Sequence, residues 1–302
     1  MRHVVAGGLR IATRRMGSAV ARLESVRRHV MRRSEGESVL LRRFADEHGY
    51  ALDVANPRTF SEKVYCRMIR WNRRIDPRYT ELADKFAVRP WVARKVGEEY
   101  LAKLFWHGTD PRDIPFDRLP VPYMLKTNHG CGHVVAVKGA VDRDDIRRRA
   151  SHWVAANYYW AFREYQYFRI PPRLMAEEYF ENPDGSEAVV YKFWCFDGVP
   201  HVLHVTNRGN SMNPFFDMEW KQLELSHKGS RAQPALPRPK NFDRMVAVAS
   251  RLSEDFDYVR VDLFNVDGRI VFNELTFTPN AGGTKFKPAE WDLKLGQMWT
   301  LR

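Results

Sequence analysis

Three stretches of the chain carry residue types that do chemistry at spacings chemistry can use. The first is formed by residues 258–265 and 270–277, two apolar runs around Asp267-Gly268-Arg269 that read as a β-hairpin. With a three-residue loop, Val266 pairs with Ile270 and Asp262 faces Glu274. Strand alternation then sets Arg260, Asp262, Glu274 and Thr276 on one face, and Val259, Val261, Leu263 and Leu275 on the other. Opposed carboxylates repel, so a fold that keeps them needs a counterion. A hard, oxygen-seeking magnesium ion suits the pair, and Arg260 adds a fixed fork for an oxyanion. Two solvated acids on an exposed sheet face are the competing reading.

The second stretch is Lys126-Thr127-Asn128-His129-Gly130-Cys131-Gly132-His133, where a lysine ends an apolar strand and enters a Gly-x-Gly loop. Lysine supplies a point charge and the glycines let backbone N–H groups approach phosphate oxygens. The wording is neither a Walker A sequence nor a dinucleotide fingerprint. His129, Cys131 and His133 match no zinc spacing and lack a fourth ligand, so Cys131 reads as a small residue in a tight loop. The third stretch, Leu174-Met175-Ala176-Glu177-Glu178-Tyr179-Phe180, passes from apolar to acidic to aromatic. It reads as a strand entering a hinge, or as an edge strand with solvent-facing acids. Lys192 shares a strand face with Val190 and Trp194. A lysine there is costly to bury unpaired, so it reads as the partner of a phosphate or acid, or as a snorkelling surface lysine.

Elements to position these groups are legible in the same way. From Leu40 to about Val96 the pattern is helical: Thr59-x-x-Glu62 is a capping box, Asp76-Pro77 an N-cap with its first helical residue, and Gly97 closes a helix over 88–96. Strands follow at 121–126 and 134–138, then a helix over 142–168. That helix is aromatic in its second half (Trp153, Tyr158, Tyr159, Trp160, Phe162, Tyr165, Tyr167, Phe168), which reads as core packing more than as a sugar-stacking platform. A hairpin over 189–206 turns at Asp197-Gly198, residues 227–240 are a loop, and 242–256 are a helix. The class is α+β with antiparallel hairpins, not a Rossmann alternation.

The 302 residues are 44% hydrophobic and 28% charged, the composition of a folded protein. No apolar run of about eighteen residues predicts a membrane span. Cys66, Cys131 and Cys195 are too few for a disulfide framework, and a reducing, cytoplasmic setting is the economical reading. The net charge of +12 is uneven, for residues 1–34 hold nine arginines against the single acid Glu24. Val20, Leu23, Val26 and Val30 make this arm an amphipathic basic helix. It either docks on the body or lies on an anionic membrane surface. No helix-turn-helix, zinc-finger or RNA-recognition pattern supports a specific nucleic-acid partner.

Taken together, Lys126 with its glycine loop, Glu177-Glu178-Tyr179-Phe180, Arg260-Val261-Asp262 and Glu274 resemble the ATP-grasp superfamily in order and approximate spacing. Residues 56–63, Asp84-Lys85-Phe86-Ala87-Val88-Arg89, residues 192–198 and Glu274-Leu275-Thr276-Phe277 look like its TupA-like family, found with surface-polysaccharide and teichuronopeptide biosynthesis. The resemblance covers about residues 40–300. It implies an ATP-grasp fold, two α+β subdomains clamping ATP, divided as an arm (1–39), a helical lead-in (40–97) and a core split into 98–172 and 173–302.

By that resemblance the protein is a magnesium- and ATP-dependent ligase that activates a carboxylate as an acylphosphate and joins it to an amine. Lys126 would hold the α- and β-phosphates, with Gly130 and Gly132 in the loop that closes over the β- and γ-phosphates. Lys85 or Arg89 would be the first phosphate-binding cation. Glu177, Glu178, Tyr179 and Phe180 would form the adenine hinge, with Glu178 or Glu187 at the ribose. Asp262 and Glu274 would bind magnesium. Arg260 would steady the transferring phosphoryl group, Lys192 is a second catalytic candidate, and Arg208 is a weaker one for the acceptor's carboxylate. Residues 279–285 could close around the acceptor. Thr276 departs from the superfamily's Glu-x-Asn, which puts a second magnesium ion in doubt; Asn273 falls on the opposite face in this register, and Asn280 lies beyond the strand. A glycosyltransferase, or a non-catalytic scaffold on the same fold, is the alternative, and the basic arm would hold the protein at the inner membrane face.

Overall fold

Among the described residues helix α1 occupies 35–48, and α2 (Phe60–Arg73) opens with the expected capping box: Thr59 Oγ1 accepts from Glu62 N while Glu62 Oε2 accepts from Thr59 N. Asp76 caps α3 (Pro77–Ala83) and Gly97 closes α4 (Arg89–Val96). The structure is a computed structural model that describes residues 35–182, 184–207, 212–227 and 236–302. Residues 1–34, which hold the arm's nine arginines, and Arg208 lie outside the described residues.

Four strands then build a small antiparallel sheet: β1 (Leu104–Gly108), β2 (Tyr123–Thr127), β3 (Val134–Val137) and β4 (Leu174–Glu178), in the order β1-β4-β2-β3. Strand β4 lies between β1 and β2, which corrects the edge-strand alternative; β1 itself had no sequence signal. Between β3 and β4 the expected single helix over 142–168 is two: α5 (Arg143–Ala155) and a short α6 (Tyr159–Phe162). Asn157 breaks it. Its Oδ1 accepts from Tyr159 N and its Nδ2 donates to Phe168 O, a local alternative to the helical ladder. Arg163 then ends α6 in the left-handed region, at φ 62°.

The larger sheet contains β5 (Val190–Phe196), β6 (Val199–Thr206), β7 (Phe215–Phe216), β9 (Tyr258–Val266) and β10 (Arg269–Thr276), ordered β10-β9-β5-β6-β7. A minor pair, β8 (Ser226–His227) and β11 (Phe286–Lys287), flanks it, and α7 (Phe242–Ser253) and α8 (Glu290–Gln297) complete the described elements. One face of the large sheet is a continuous core. Phe193, Cys195, Val259, Val261, Leu263 and Leu275 pack there against Phe242, Met245, Ala249 and Leu252 of α7.

The other face changes character along its length. At one end Trp194, Phe196 and Tyr258 pack beneath Phe60, Val64 and Trp299. Farther along it turns polar and then meets the small sheet. Arg67 of α2 fixes this end: it donates to Tyr258 O at 3.0 Å and Phe277 O at 3.1 Å, and pairs with Asp257 at 2.5 Å. The strands that carry the site are thus tied to the helical lead-in at their roots.

The β9–β10 hairpin differs instructively from the sequence reading. Its turn has two residues, Asp267 and Gly268, both at positive φ (48° and 78°), so Arg269 pairs with Val266. A β-bulge at Asn273 then restores the displaced residue, and Asp262 does face Glu274.

Candidate functional site

Strand pairing lays a row of chemical groups across the polar part of the large sheet. Glu274 on β10 faces Asp262 on β9, Asp262 faces Lys192 on β5, Lys192 faces His204 on β6, and His204 faces Phe215 on β7. The next row is Thr276, Arg260, Trp194 and Val202. The four residues assigned to one hairpin face therefore do share it.

Arg260 holds Asp262 through a two-pronged pair, Nε to Oδ1 and Nη2 to Oδ2, both at 2.7 Å, and Nη2 also donates to Thr276 Oγ1 at 3.0 Å. Asp262 is 1% exposed, so both its oxygens are committed. Burial works against the Arg260 charge, but Asp262 outweighs it and keeps the guanidinium above its ordinary range. Glu274 is the more open carboxylate, its side chain 28% exposed, and it meets Lys85 Nζ at 3.1 Å and Arg260 Nη2 at 3.5 Å. Burial alone would raise its carboxyl; Lys85 and Arg260 overcome that and hold it at about 2. Burial and the neighbouring Arg260 lower Lys192, so its charge calls for an anion beside it.

Lys85 arrives from the helical lead-in by a local device. Asp84 Oδ1 accepts from the backbone of Phe86 and Ala87, folding a tight turn, and Lys85 N donates to Asn128 O. The Lys85 ammonium then reaches Gly130 O at 3.0 Å as well as Glu274. Arg89, one turn on, points elsewhere: it pairs with Glu177 at 3.1 Å and donates to Ala102 O at 2.7 Å. Glu177 also pairs with Lys126 at 2.5 Å. Of the two cations left open by the sequence, Lys85 meets Glu274 at the polar chamber, while Arg89 reaches the apolar cavity only through Glu177. Met124, Lys126 and Glu177 share the face of the small sheet that looks away from its own core of Leu125, Leu174 and Ala176.

Two cavities meet at the bulge of β10. A largely apolar one of about 200 Å³ is lined by Met124, Lys126, Glu177, Val190, Phe264 and Phe272, with Glu178 and Phe180 at the hinge. Asn273, expected on the opposite face, lines it because the bulge turns it there. The second, about 580 Å³, is walled by Gly130, Lys192, Trp194, Arg260, Glu274 and Thr276, and by Pro279, Asn280, Ala281 and Thr284 of the tail. It also takes in Glu164, His204 and Thr278, which had drawn no site assignment from the sequence, and Tyr158 and Tyr167, which had been read as core packing more than as a sugar-stacking platform.

The remaining expected residues sit less centrally. Glu178 pairs with Arg269 at 2.6 Å, Tyr179 turns its ring under the Lys138 ammonium, and Gly132 and Glu187 are exposed. His129 is buried and hydrogen-bonded through both ring nitrogens, to Asn128 and Ala156. Among the described residues no group of three or more His, Cys, Asp or Glu could hold a metal by itself.

Two antiparallel sheets that both line an apolar slot, with a cluster of cations around paired carboxylates beside it, carry an ATP-grasp fold. The chain belongs to the TupA-like ATPgrasp family, whose model matches residues 62–300. No curated relative matches it. Among solved structures, an N5-carboxyaminoimidazole ribonucleotide synthetase in its ADP complex covers 65% of this chain and 45% of its own, at 15% identity and a TM-score of 0.42. A D-alanine–D-alanine ligase from Bacillus anthracis complexed with ATP covers 66% and 54%, at 16% identity and a TM-score of 0.38. The corresponding ligase from Helicobacter pylori covers 72% and 61%, at 14% and 0.40. The chain thus spans less than two thirds of the length of each. No helix among the described residues is long and apolar enough to cross a membrane.

Proposed function

We propose that the protein is a magnesium- and ATP-dependent ligase that activates a carboxylate as an acylphosphate and joins it to an amine, in the assembly of surface polysaccharide or teichuronopeptide. The observation that carries this reading is the meeting of the two cavities at adjacent residues, Asn273 lining the apolar slot and Glu274 the polar chamber. A flat base suits the slot. Lys126 lines the slot, Arg260 the chamber, and Lys85 pairs with Glu274 at the chamber's side of their meeting point, which supplies the positive charge a triphosphate needs.

The donor set fits magnesium bound to a nucleotide: hard carboxylate oxygens, few enough that phosphates and water complete the shell. Glu274 is the protein ligand open to it, and Asp262 joins only if Arg260 releases an oxygen. Bound there, magnesium neutralises charge on the phosphates. The chain's own residues do the rest: Lys126 and Arg89 hold the nucleotide end, and Gly130 closes the loop. Arg260 and Lys192 stabilise negative charge as an oxygen of the carboxylate substrate takes the γ-phosphoryl group and ADP departs.

Calorimetric titration of ATP with and without magnesium, into the intact chain, Lys126→Ala and Glu274→Ala, tests the reading. Magnesium-dependent binding lost in both variants is expected; no binding by the intact chain removes the ligase reading. Binding without ADP release on any carboxylate and amine pair would favour a non-catalytic scaffold, which the commitment of both Asp262 oxygens to Arg260 makes the second reading. For the arm, sedimentation with anionic vesicles that is unchanged by deleting residues 1–34 would overturn a membrane role.

A further inference from the structure

The polar chamber holds a carboxylate that the ATP chemistry leaves unused. Glu164 lines it and is 6% exposed. Gln166 Nε2 donates to Thr278 Oγ1 at 2.6 Å, and Thr278 Oγ1 donates to Glu164 Oε1 at 2.6 Å, so two links aim the group and leave Oε2 for a ligand. No lysine or arginine among the described residues pairs with it. Arg43 from α1 and Arg260 from β9 act on it only at longer range, Glu274 from β10 repels it, and Tyr158 and Tyr167 face it as neutral phenols. A buried carboxylate without a cation is costly, and a cation brought by a ligand removes that cost. Tyr158, Phe162 and Tyr167 line the same chamber with aromatic surface. Arg43 braces this wall, donating to Phe162 O at 2.7 Å and to Ala281 O at 2.8 Å.

We propose that Glu164 is the docking site for the acceptor amine, and that the acceptor is a primary ammonium carried on a ring with an apolar face, as in an amino sugar. The assignment to an acceptor rests on the ligase reading. In that reaction the ammonium passes one proton to Glu164, and the freed lone pair attacks the acylphosphate carbonyl carbon. The C–N bond forms and the C–O bond to phosphate breaks; phosphate leaves with the bonding pair and takes the second nitrogen proton. Burial pushes the Glu164 carboxyl up to about 7, which suits a group that exchanges a proton at neutral pH.

The test uses the full chain with magnesium and ADP, and glucosamine as probe against glucose, which lacks the ammonium. Ligand-observed NMR is expected to show a preference for glucosamine in the intact chain, lost in Glu164→Gln and weakened in Glu164→Asp. Calorimetry in buffers of different ionisation heat is expected to show about one proton released on glucosamine binding near about pH 6, as an ion pair forms on a carboxyl that was protonated, and this turns to net uptake near about pH 8, where much of the free sugar amine is neutral and gains a proton on binding. No preference for glucosamine, a preference that survives Glu164→Gln, or binding without proton release near about pH 6 overturns the proposal. Selective amine binding by a chain that does not bind ATP leaves this site standing and removes the ligase reading instead.

Discussion

Replacing Glu164 by glutamine isolates one buried charge whose cost follows from its surroundings. Burial is the main influence and raises the carboxyl from 4.5 to about 7, against the opposing pull of the Thr278 hydroxyl and Arg43. A raised native value means that the folded chain keeps a proton that the unfolded chain has already lost. Native stability from this group is therefore full below about pH 4.5 and is lost as pH climbs through about 7. At about 1.4 kcal/mol for each tenfold change, the gap amounts to about 3 kcal/mol. Denaturant unfolding of the intact chain and Glu164→Gln, at intervals from about pH 4.5 to about pH 8, reads it as a difference. Other titrating groups, Glu274 included, largely cancel between the two proteins. The intact chain is expected to lose about 3 kcal/mol relative to the variant across that range. A difference independent of pH would refute the reasoning. So would one that moves in favour of the intact chain as pH rises, because that is the signature of a paired native carboxylate.

Three further outcomes follow from the geometry. Arg67→Met strands Asp257 beneath α2 and removes two hydrogen bonds to the roots of the site strands, so thermal or denaturant unfolding should show a loss of about 3–5 kcal/mol. Gly130→Ala puts a Cβ 2.7 Å from the Tyr158 ring at a φ of +77°, and calorimetry should show ATP affinity weakened about tenfold or more. Gly268→Ala makes the contrast: its φ is +78° but nothing lies near the new carbon, so unfolding should register a loss of about 1 kcal/mol with ATP affinity unchanged.

How much of this site could be read from the chain depended on how far apart its parts lie. Arg260, Asp262, Glu274 and Thr276 were legible because strand alternation is a local rule and the hairpin is short. Even so, the pairing of Asp262 with Glu274 came out through two departures that cancel, a tighter turn and a bulge at Asn273. The bulge was invisible because nothing in Phe272-Asn273-Glu274 marks an extra residue, and that is why Asn273 was set on the wrong face. Lys85 was legible as a cation but not as distinct in duty from Arg89; what separates them is the Asp84 turn, which aims one at Glu274 and leaves the other on a helix facing Glu177.

Glu164 had no signal at all. Its partner Thr278 is 114 residues away, and its own segment carries helical spacing that one asparagine side chain overrides. The contrast has a physical basis. Residues paired across one hairpin inherit their neighbours from backbone geometry, whereas a residue aimed across a cavity inherits its neighbours from how separate elements pack. In this chain the apolar slot is built mostly by pairing within each sheet, and the polar chamber by α6, the tail after β10 and Arg43 of α1 converging on it. Under the proposed function the converging segments would set substrate choice, and variation there would change the acceptor without disturbing the charged row on the sheet.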